Sequence, residues 1–259
     1  MNVPTMADMM AQDKQSEVLF WVGAAGSYDD RAKKITKAFV KILNEANVDF
    51  AVLGTEESST GDAAKRAGNE FLFQMQAMAN IEILNAYGVK TIVTCDPHSF
   101  NTFKNEYPGL GGKYKVFHHT QYISKLISEG RLSVKNQVLK SKRLTYHDPC
   151  YLGRANGVYE TPRELIKRLG VKMTEMKRNK STALCCGAGG AQMFKEPEKG
   201  SKDINILRTE DALETNPQII ATGCPYCNTM MTDGVKFKEK EEQIQVKDIA
   251  ELIAEANNL

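Results

Sequence analysis

What this sequence has little of narrows its role before any motif is considered. No stretch approaches the roughly 18 to 20 consecutive apolar residues that a membrane helix requires. No surplus of positive charge exists to neutralise phosphates: 34 Lys and Arg stand against 32 Asp and Glu, a formal charge of +2. Nucleic acid is therefore not an expected partner. No Gly-x-Gly-x-x-Gly turn follows a strand-like run and no Walker sequence occurs, so nothing predicts a bound nucleotide, and a flavin would belong to a partner. Residues 1–17 carry Asp8, Asp13, Lys14 and Glu17 among their methionines and lack the apolar core and small-residue cleavage site of a signal peptide. The expected location is cytoplasmic, with any membrane contact made through a partner.

In that reducing compartment, clustered cysteines read as metal ligands or redox groups rather than structural disulfides. Five of the six cysteines fall in three short groups: Cys150, the adjacent pair Cys185 and Cys186, and Cys224 with Cys227 in Cys-Pro-Tyr-Cys. Five thiolates exceed what a tetrahedral zinc uses, and an adjacent pair strains to serve one ion, so the pattern favours a polynuclear iron–sulfur cluster and electron handling. Two alternatives stay open on the residues alone. Zinc could use four of the thiolates, making the chain an interaction module, or Cys224 and Cys227 could form a thiol–disulfide couple.

Short β-branched runs alternate with amphipathic stretches. Val18–Val22, Phe50–Leu53, Lys90–Thr94, Tyr114–Phe117, Leu144–His147, Val171–Met176, Ile219–Thr222 and Gln243–Val246 are predicted strands. Arg31–Ala46, Gly68–Tyr87, Gln121–Glu129, Arg163–Leu169, Lys202–Glu214 and Asp248–Ala256 are predicted helices. The pattern is α/β, in two pseudo-repeated lobes, each a short, mostly parallel sheet flanked by helices. The expected divisions are an N-terminal extension 1–17, a first lobe 18–128, a connection 129–142 and a second lobe 143–259.

The halves resemble each other. Thr91–Thr102 lies over Gln218–Thr229 when Pro97 is set on Pro225, and Tyr122–Ile127 matches Asp248–Ile253, so an internal duplication is expected. In that register the five cysteines of the second lobe face Ala24, Ser59, Thr60, Asp96 and Ser99. These side chains offer one hard oxygen ligand and no thiolate, so the first lobe reads as a site without cluster ligands. Cys95 falls one place before the aligned position and reads as a small buried residue at a strand end.

Strand-to-helix loops of a parallel sheet gather at its carboxyl edge, where ligands bind. The three cysteine groups are expected there, after Leu144–His147, Ala183–Leu184 and Ile219–Thr222. Pro225 fixes the turn carrying Cys224 and Cys227. Gly187, Gly189 and Gly190 let the chain approach a cluster closely, with amides opening the next helix donating to sulfur. Arg154 is either a cation near the cluster or a member of an ion pair. His147 reads as a hydrogen-bonded neighbour of the site, with a bond to a cluster sulfur or proton donation to a substrate as its functional options. His98, His118 and His119 match no standard zinc spacing with Asp96 and Cys95. Met9, Met10, Met75 and Met78 read as core or partner-facing packing, and Lys135, Lys140, Lys142 and Arg143 as a solvated connection.

The order Cys150, Cys185-Cys186-Gly187, Cys224-Pro225-Tyr226-Cys227 on a duplicated α/β framework resembles the cysteine-rich CCG domain. That domain is shared by the B-type component of heterodisulfide reductase, the iron–sulfur subunits of glycolate and lactate oxidases, and the C-type component of anaerobic glycerol-3-phosphate dehydrogenase. The segments Phe20–Gly23, Gly68–Glu70, Lys104–Pro108, His147–Arg154 and Ala188–Gly190 resemble heterodisulfide-reductase-related oxidoreductases of respiratory type, and the likeness runs over about residues 2–240. The resemblance implies that Cys150, Cys185, Cys186, Cys224 and Cys227 hold a [4Fe–4S] cluster, noncubane in the best-understood member. It implies a partner carrying ferredoxin-type clusters, often with a flavoprotein or a quinone-linked membrane subunit. No ferredoxin cysteine pattern occurs in this sequence, so that partner is expected on a separate chain. The missing thiolates of the first lobe favour electron relay over disulfide cleavage, and a component of an oxidoreductase over a complete enzyme.

Overall fold

In the computed structural model, residues 3–135, 139–196 and 200–259 are described. Residues 1–2 of the predicted extension and 136–138 of the predicted connection lie outside them. The first half runs α1 (Met6–Ala11), β1 (Val18–Trp21), α2 (Gly23–Tyr28), α3 (Ala32–Glu45), β2 (Phe50–Ala51), α4 (Asp62–Arg66), α5 (Glu70–Ala86), β3 (Thr91–Thr94), α6 (Pro97–Asn101), β4 (Lys115–His118) and α7 (His119–Ser128). The second half runs β5 (Arg143–Tyr146), α8 (Glu160–Arg168), β6 (Lys172–Met173), α9 (Ile204–Leu213), β7 (Ile219–Thr222), α10 (Pro225–Phe237), β8 (Gln245–Asp248) and α11 (Ile249–Ala256).

Each half forms a parallel four-stranded sheet, and the two sheets have the same order: β2-β1-β3-β4 and β6-β5-β7-β8. The α/β fold in two pseudo-repeated lobes is as the sequence predicts. Pro97 and Pro225 both take the first turn of the helix that leaves the third strand, where a missing amide hydrogen costs nothing. One part of the predicted register slips. His118 and Asp248, not Tyr122 and Asp248, are equivalent, because each caps its helix in a box completed three residues later by Gln121 or Glu251. The matched apolar pattern is displaced by about one helical turn, which leaves the phase of an amphipathic helix almost unchanged.

Several strand predictions also shift: β2 keeps only Phe50–Ala51 of the predicted Phe50–Leu53, and β4 and β5 each move by one residue. β8 starts two residues late, with Gln245 opposite Ile219 and Asp248 opposite Thr222. β6 keeps two residues of the predicted six, as an edge strand whose pairs are Arg143 with Lys172 and Leu144 with Met173. Ala183–Leu184 is not a strand: a 3-10 turn at Lys180–Thr182 leads into an irregular loop.

α3 shows why the halves join. Ala32, Ile35, Phe39, Ile42 and Leu43 are buried at helical spacing while Lys34 and Lys37 stay exposed. The buried stripe belongs to one hydrophobic core that takes Phe20, Phe39 and Val93 from the first half together with Leu144, Leu165, Ile249 and Leu252 from the second. At the rim of this contact Arg31 makes a two-pronged ion pair with Glu251 at 2.8 and 2.7 Å and donates to the Val246 carbonyl at 2.7 Å. The N-terminal residues pack on the first sheet: the amides of Met6 and Val52 bond to the carbonyls of Val52 and Pro4, and Met6 is buried. On α5, Phe71, Leu72, Met75 and Met78 are exposed, as is Met10 on α1. Among the described residues, no helix is long and apolar enough to cross a membrane.

Candidate metal centre

In the second sheet the chain steps one way from β5 to β6 and the other way from β7 to β8, so the loops after β5 and β7 part at a crevice. Cys150 lies on the first of these loops. Cys224 lies on the second as the N-cap of α10, with its Sγ accepting from the Cys227 amide at 3.4 Å. Cys185 and Cys186 arrive on the long loop between β6 and α9, which is pinned by side chains instead of a strand ladder. The Lys180 amide donates to Asp148 Oδ2 at 2.8 Å, Arg208 to the Arg178 carbonyl at 2.7 Å, and Arg154 to the Ala183 carbonyl. Asp148 is buried and gripped by both ends of the Arg163 guanidinium at 2.7 and 2.9 Å. That buried pair therefore fixes the strand end and the incoming loop together.

The five cysteines gather in one region of the second half. The sulfurs of Cys186 and Cys227 touch at 3.4 Å, Cys224 is buried in the same cluster with Cys185 packed against it, and Cys150 lies close enough to Cys185 to perturb its thiol. Cys186, Cys224 and Cys227 are buried, and Cys150 and Cys185 are partly exposed, so the group has a closed base and an open rim. A cleft of about 640 Å³ lined by Cys185, Gly187, Met193, Ile204 and Met230 opens on that rim. The neighbouring Cys150 and Cys186 thiols hold the Cys185 thiol far below its ordinary pKa, while Cys186 and then Cys224 push Cys227 up. The Gly187 amide also donates to Cys185 Sγ, at 3.4 Å.

Gly187 has φ +92°, and a Cβ there would sit 3.5 Å from both Ile204 and Met230. A Cβ on Gly189 would come within 3.3 Å of the His98 ring, which reaches across from the first half. After these glycines the chain enters a 3-10 turn, Gln192–Phe194, and not the helix expected there; the helix that offers an amide to sulfur is α10. Arg154 is exposed, its recorded bond runs to the Ala183 carbonyl, and no ion pair is found for it among the described residues.

His147 is fully buried, and its Nδ1 accepts from Arg208 Nε at 3.0 Å. A ring nitrogen of His147 and the sulfurs of Cys186 and Cys227 lie within 4.8 Å of one another, and Nε2 has no protein partner among the described residues. Burial, and then the Arg208 charge, push His147 down to about 3, so it is neutral near pH 7.

The five aligned first-half positions also converge: Ala24, Ser59, Thr60, Asp96 and Ser99 line one cleft of about 70 Å³, facing Gly189, Gly190 and Tyr226. Asp96 takes the place of Cys224 as N-cap, with its carboxylate accepting from the His98 and Ser99 amides at 3.0 and 3.1 Å. The three first-half histidines are separately engaged. His98 bonds Asp62 at 2.9 Å and lies against the Tyr151 ring at 4.2 Å; His118 donates to the Gly223 carbonyl at 3.0 Å; His119 bonds Asp248 at 2.9 Å. Cys95 is buried in the shared core, in keeping with its reading as packing.

Sequence patterns did not single out Arg208, Asp148, Arg163 or the reach of His98 toward Gly189. A signal for Arg208 exists: Arg208 and Asp211 stand three apart on the face of α9 that also buries Ala212, and charges on a buried face need partners.

A family model described as "Cysteine-rich domain" (CCG) matches residues 18–104 and 144–232, one copy in each half. The "Probable iron-sulfur-binding oxidoreductase FadF" of Bacillus subtilis is 48% identical over 256 residues, 98% of this chain and 36% of the relative. The "EtfAB:quinone oxidoreductase" of Syntrophomonas wolfei is 44% identical over 98% of this chain and 36% of its own length. A component of the dihydromethanophenazine:CoB–CoM heterodisulfide reductase of Methanosarcina barkeri is 34% identical over 97% of this chain and 61% of its own length. The chain thus spans about a third of the first two relatives and about three fifths of the third. With both halves matched and the cysteine groups drawn together, the chain belongs to the CCG cysteine-rich domain family.

Proposed function

We propose that Cys150, Cys185, Cys186, Cys224 and Cys227 hold one iron–sulfur cluster, of [4Fe–4S] type and noncubane as the family resemblance implies, and that the chain relays electrons within a larger oxidoreductase. The observation that carries this is the gathering of five cysteines from three loops, with Cys186 and Cys227 in sulfur contact at 3.4 Å, Cys224 and Cys185 packed with them and Cys150 beside Cys185. The thiolates fit the group: soft sulfur suits iron, a tetrahedral zinc would leave one of the five over, and the buried Nε2 of His147, unpartnered among the described residues, calls for a hydrogen-bond partner on this side of the site. A cluster bound here takes up and gives back single electrons.

The chain's own residues then have distinct tasks. Cys186, Cys224 and Cys227 form the dry base, while Cys150 and Cys185 leave a rim through which a redox partner approaches. Amides of Gly187 and Cys227 point at sulfur and favour added negative charge. Arg154 acts on the site through the Ala183 carbonyl, by holding the loop that delivers Cys185. The first half supplies scaffold and docking surface, since its aligned cleft offers hydroxyls and an already bonded carboxylate in place of thiolates. The partner proposed is a ferredoxin-type or flavin-bearing component, with a quinone-linked one at the membrane; the name of the Syntrophomonas relative pairs EtfAB with quinone.

Anaerobic metal and acid-labile sulfide analysis of the purified protein tests the reading. Iron and sulfide in comparable amounts, with visible charge-transfer absorbance bleached by dithionite, are expected. Zinc without sulfide would overturn it in favour of an interaction module.

A further inference from the structure

At the end of β5 the imidazole of His147 has no exposure to solvent, and neither does the Arg208 side chain that meets it from α9. Arg208 Nε stands 3.0 Å from His147 Nδ1. A guanidinium has N–H donors and no acceptor, so Nδ1 must present its lone pair and the ring proton must sit on Nε2. Arg208 is itself held: Nη1 donates to the Arg178 carbonyl at 2.7 Å and to Asp211 Oδ2 at 3.2 Å, and Asp211 is gripped from the other side by Arg178 at 2.9 and 2.5 Å. On the opposite side of the ring, Nε2–H finds no partner among the described residues, while a ring nitrogen shares a 4.8 Å neighbourhood with the sulfurs of Cys186 and Cys227.

We infer that Arg208 is a positioning residue that fixes the tautomer of His147, so that Nε2–H donates to sulfur at the cysteine centre and the histidine is barred from ligating metal there. Ligation through Nε2 would need the proton moved to Nδ1, where it would face the Arg208 Nε–H across a site with no solvent exposure. Two donors would then oppose each other in a low dielectric. The arrangement keeps the centre to thiolates, and its N–H donor stabilises the more negative, reduced state. The acceptor's identity rests on the iron–sulfur reading; the tautomer does not.

The protein has four histidines, so nitrogen-15 NMR of the metal-free chain can assign each ring. His147 is expected wholly as the Nε2–H tautomer, and an Nδ1–H form in the wild type would overturn the inference. Arg208→Gln, whose amide can accept as well as donate, should give a mixture of tautomers. The cluster-bearing protein gives a second readout that needs no Arg208 variant. His147→Leu should lower the midpoint potential, and His147→Gln, which can place an amide N–H near the Nε2 position, should restore much of it. A cluster whose potential is the same in the wild type and His147→Leu overturns the donor role alone, whereas a wild-type protein without iron and sulfide overturns the cluster reading first.

Discussion

The Nε2–H of His118 donates to the Gly223 carbonyl at 3.0 Å, so a side chain from the first sheet holds the residue before Cys224 in the second. The ring is fully buried and its other nitrogen meets the Thr120 hydroxyl at 2.7 Å. His118→Leu should therefore destabilise the protein by about 1–3 kcal/mol, the cost of leaving buried polar groups unpaired. The midpoint of urea unfolding checks this, and an unchanged midpoint would refute it.

Arg163 and Asp148 form a buried ion pair that also anchors the Lys180 amide. Arg163→Met strands the Asp148 carboxylate and should cost about 3–5 kcal/mol, whereas Arg163→Met with Asp148→Asn should regain part of that loss. A double-mutant cycle by denaturant unfolding measures the coupling; additive losses would show that the pair is not coupled.

Although burial opposes its charge, the Asp62 hydrogen bond and nearby Asp96 raise His98 from 6.5 to about 9. Because the folded-state pKa is the higher one, the stability it contributes is complete below about pH 6.5 and fades as pH rises through about 9. At about 1.4 kcal/mol per pKa unit the effect is on the order of 3 kcal/mol. At the acid end, Asp62 lies below its ordinary 3.8 despite burial, because of the bond from His98, and loses its contribution as pH falls. In metal-free protein, the stability difference between wild type and His98→Gln should shrink from about pH 7 to about pH 9.5. A difference that widens with pH would contradict the pairing.

Serine in place of Cys185, Cys186 or Cys224 should abolish the visible absorbance of the purified protein. Cys95→Ala should keep the colour and cost about 1 kcal/mol, since it removes one buried atom from the shared core. Bleaching on changing Cys95 would show that the ligand set is wrong.

The strand cores of β1, β3, β5 and β7 and the pairing of Pro97 with Pro225 were legible because strand alternation and a helix-opening proline are local signals. The slip of His118 against Asp248 was not legible, since a shift of about one helical turn preserves the apolar phase on which the match of the halves depends. The loop that delivers Cys185 and Cys186 resembles a strand in the sequence because Ala183 and Leu184 are apolar. Its anchors, Asp148, Arg154 and Arg208, come from distant parts of the chain and leave no periodic trace. The grouping of the cysteines could be anticipated from strand order; the Arg208 contact to His147 joins α9 to the residue that follows β5, 61 positions away, and had no counterpart in spacing.

The hydrophobic interior common to both sheets ties the halves together. Each half has a smaller interior of its own, but Phe39 and Val93 are packed with Ile249 and Leu144 in one mass common to both. Losing one copy would strip the other of its apolar cover. Substitutions at the mouth of the first cleft, where alanine, serine, threonine and aspartate stand, leave that cover intact, so the first half serves as packing for the second whatever its cleft can bind.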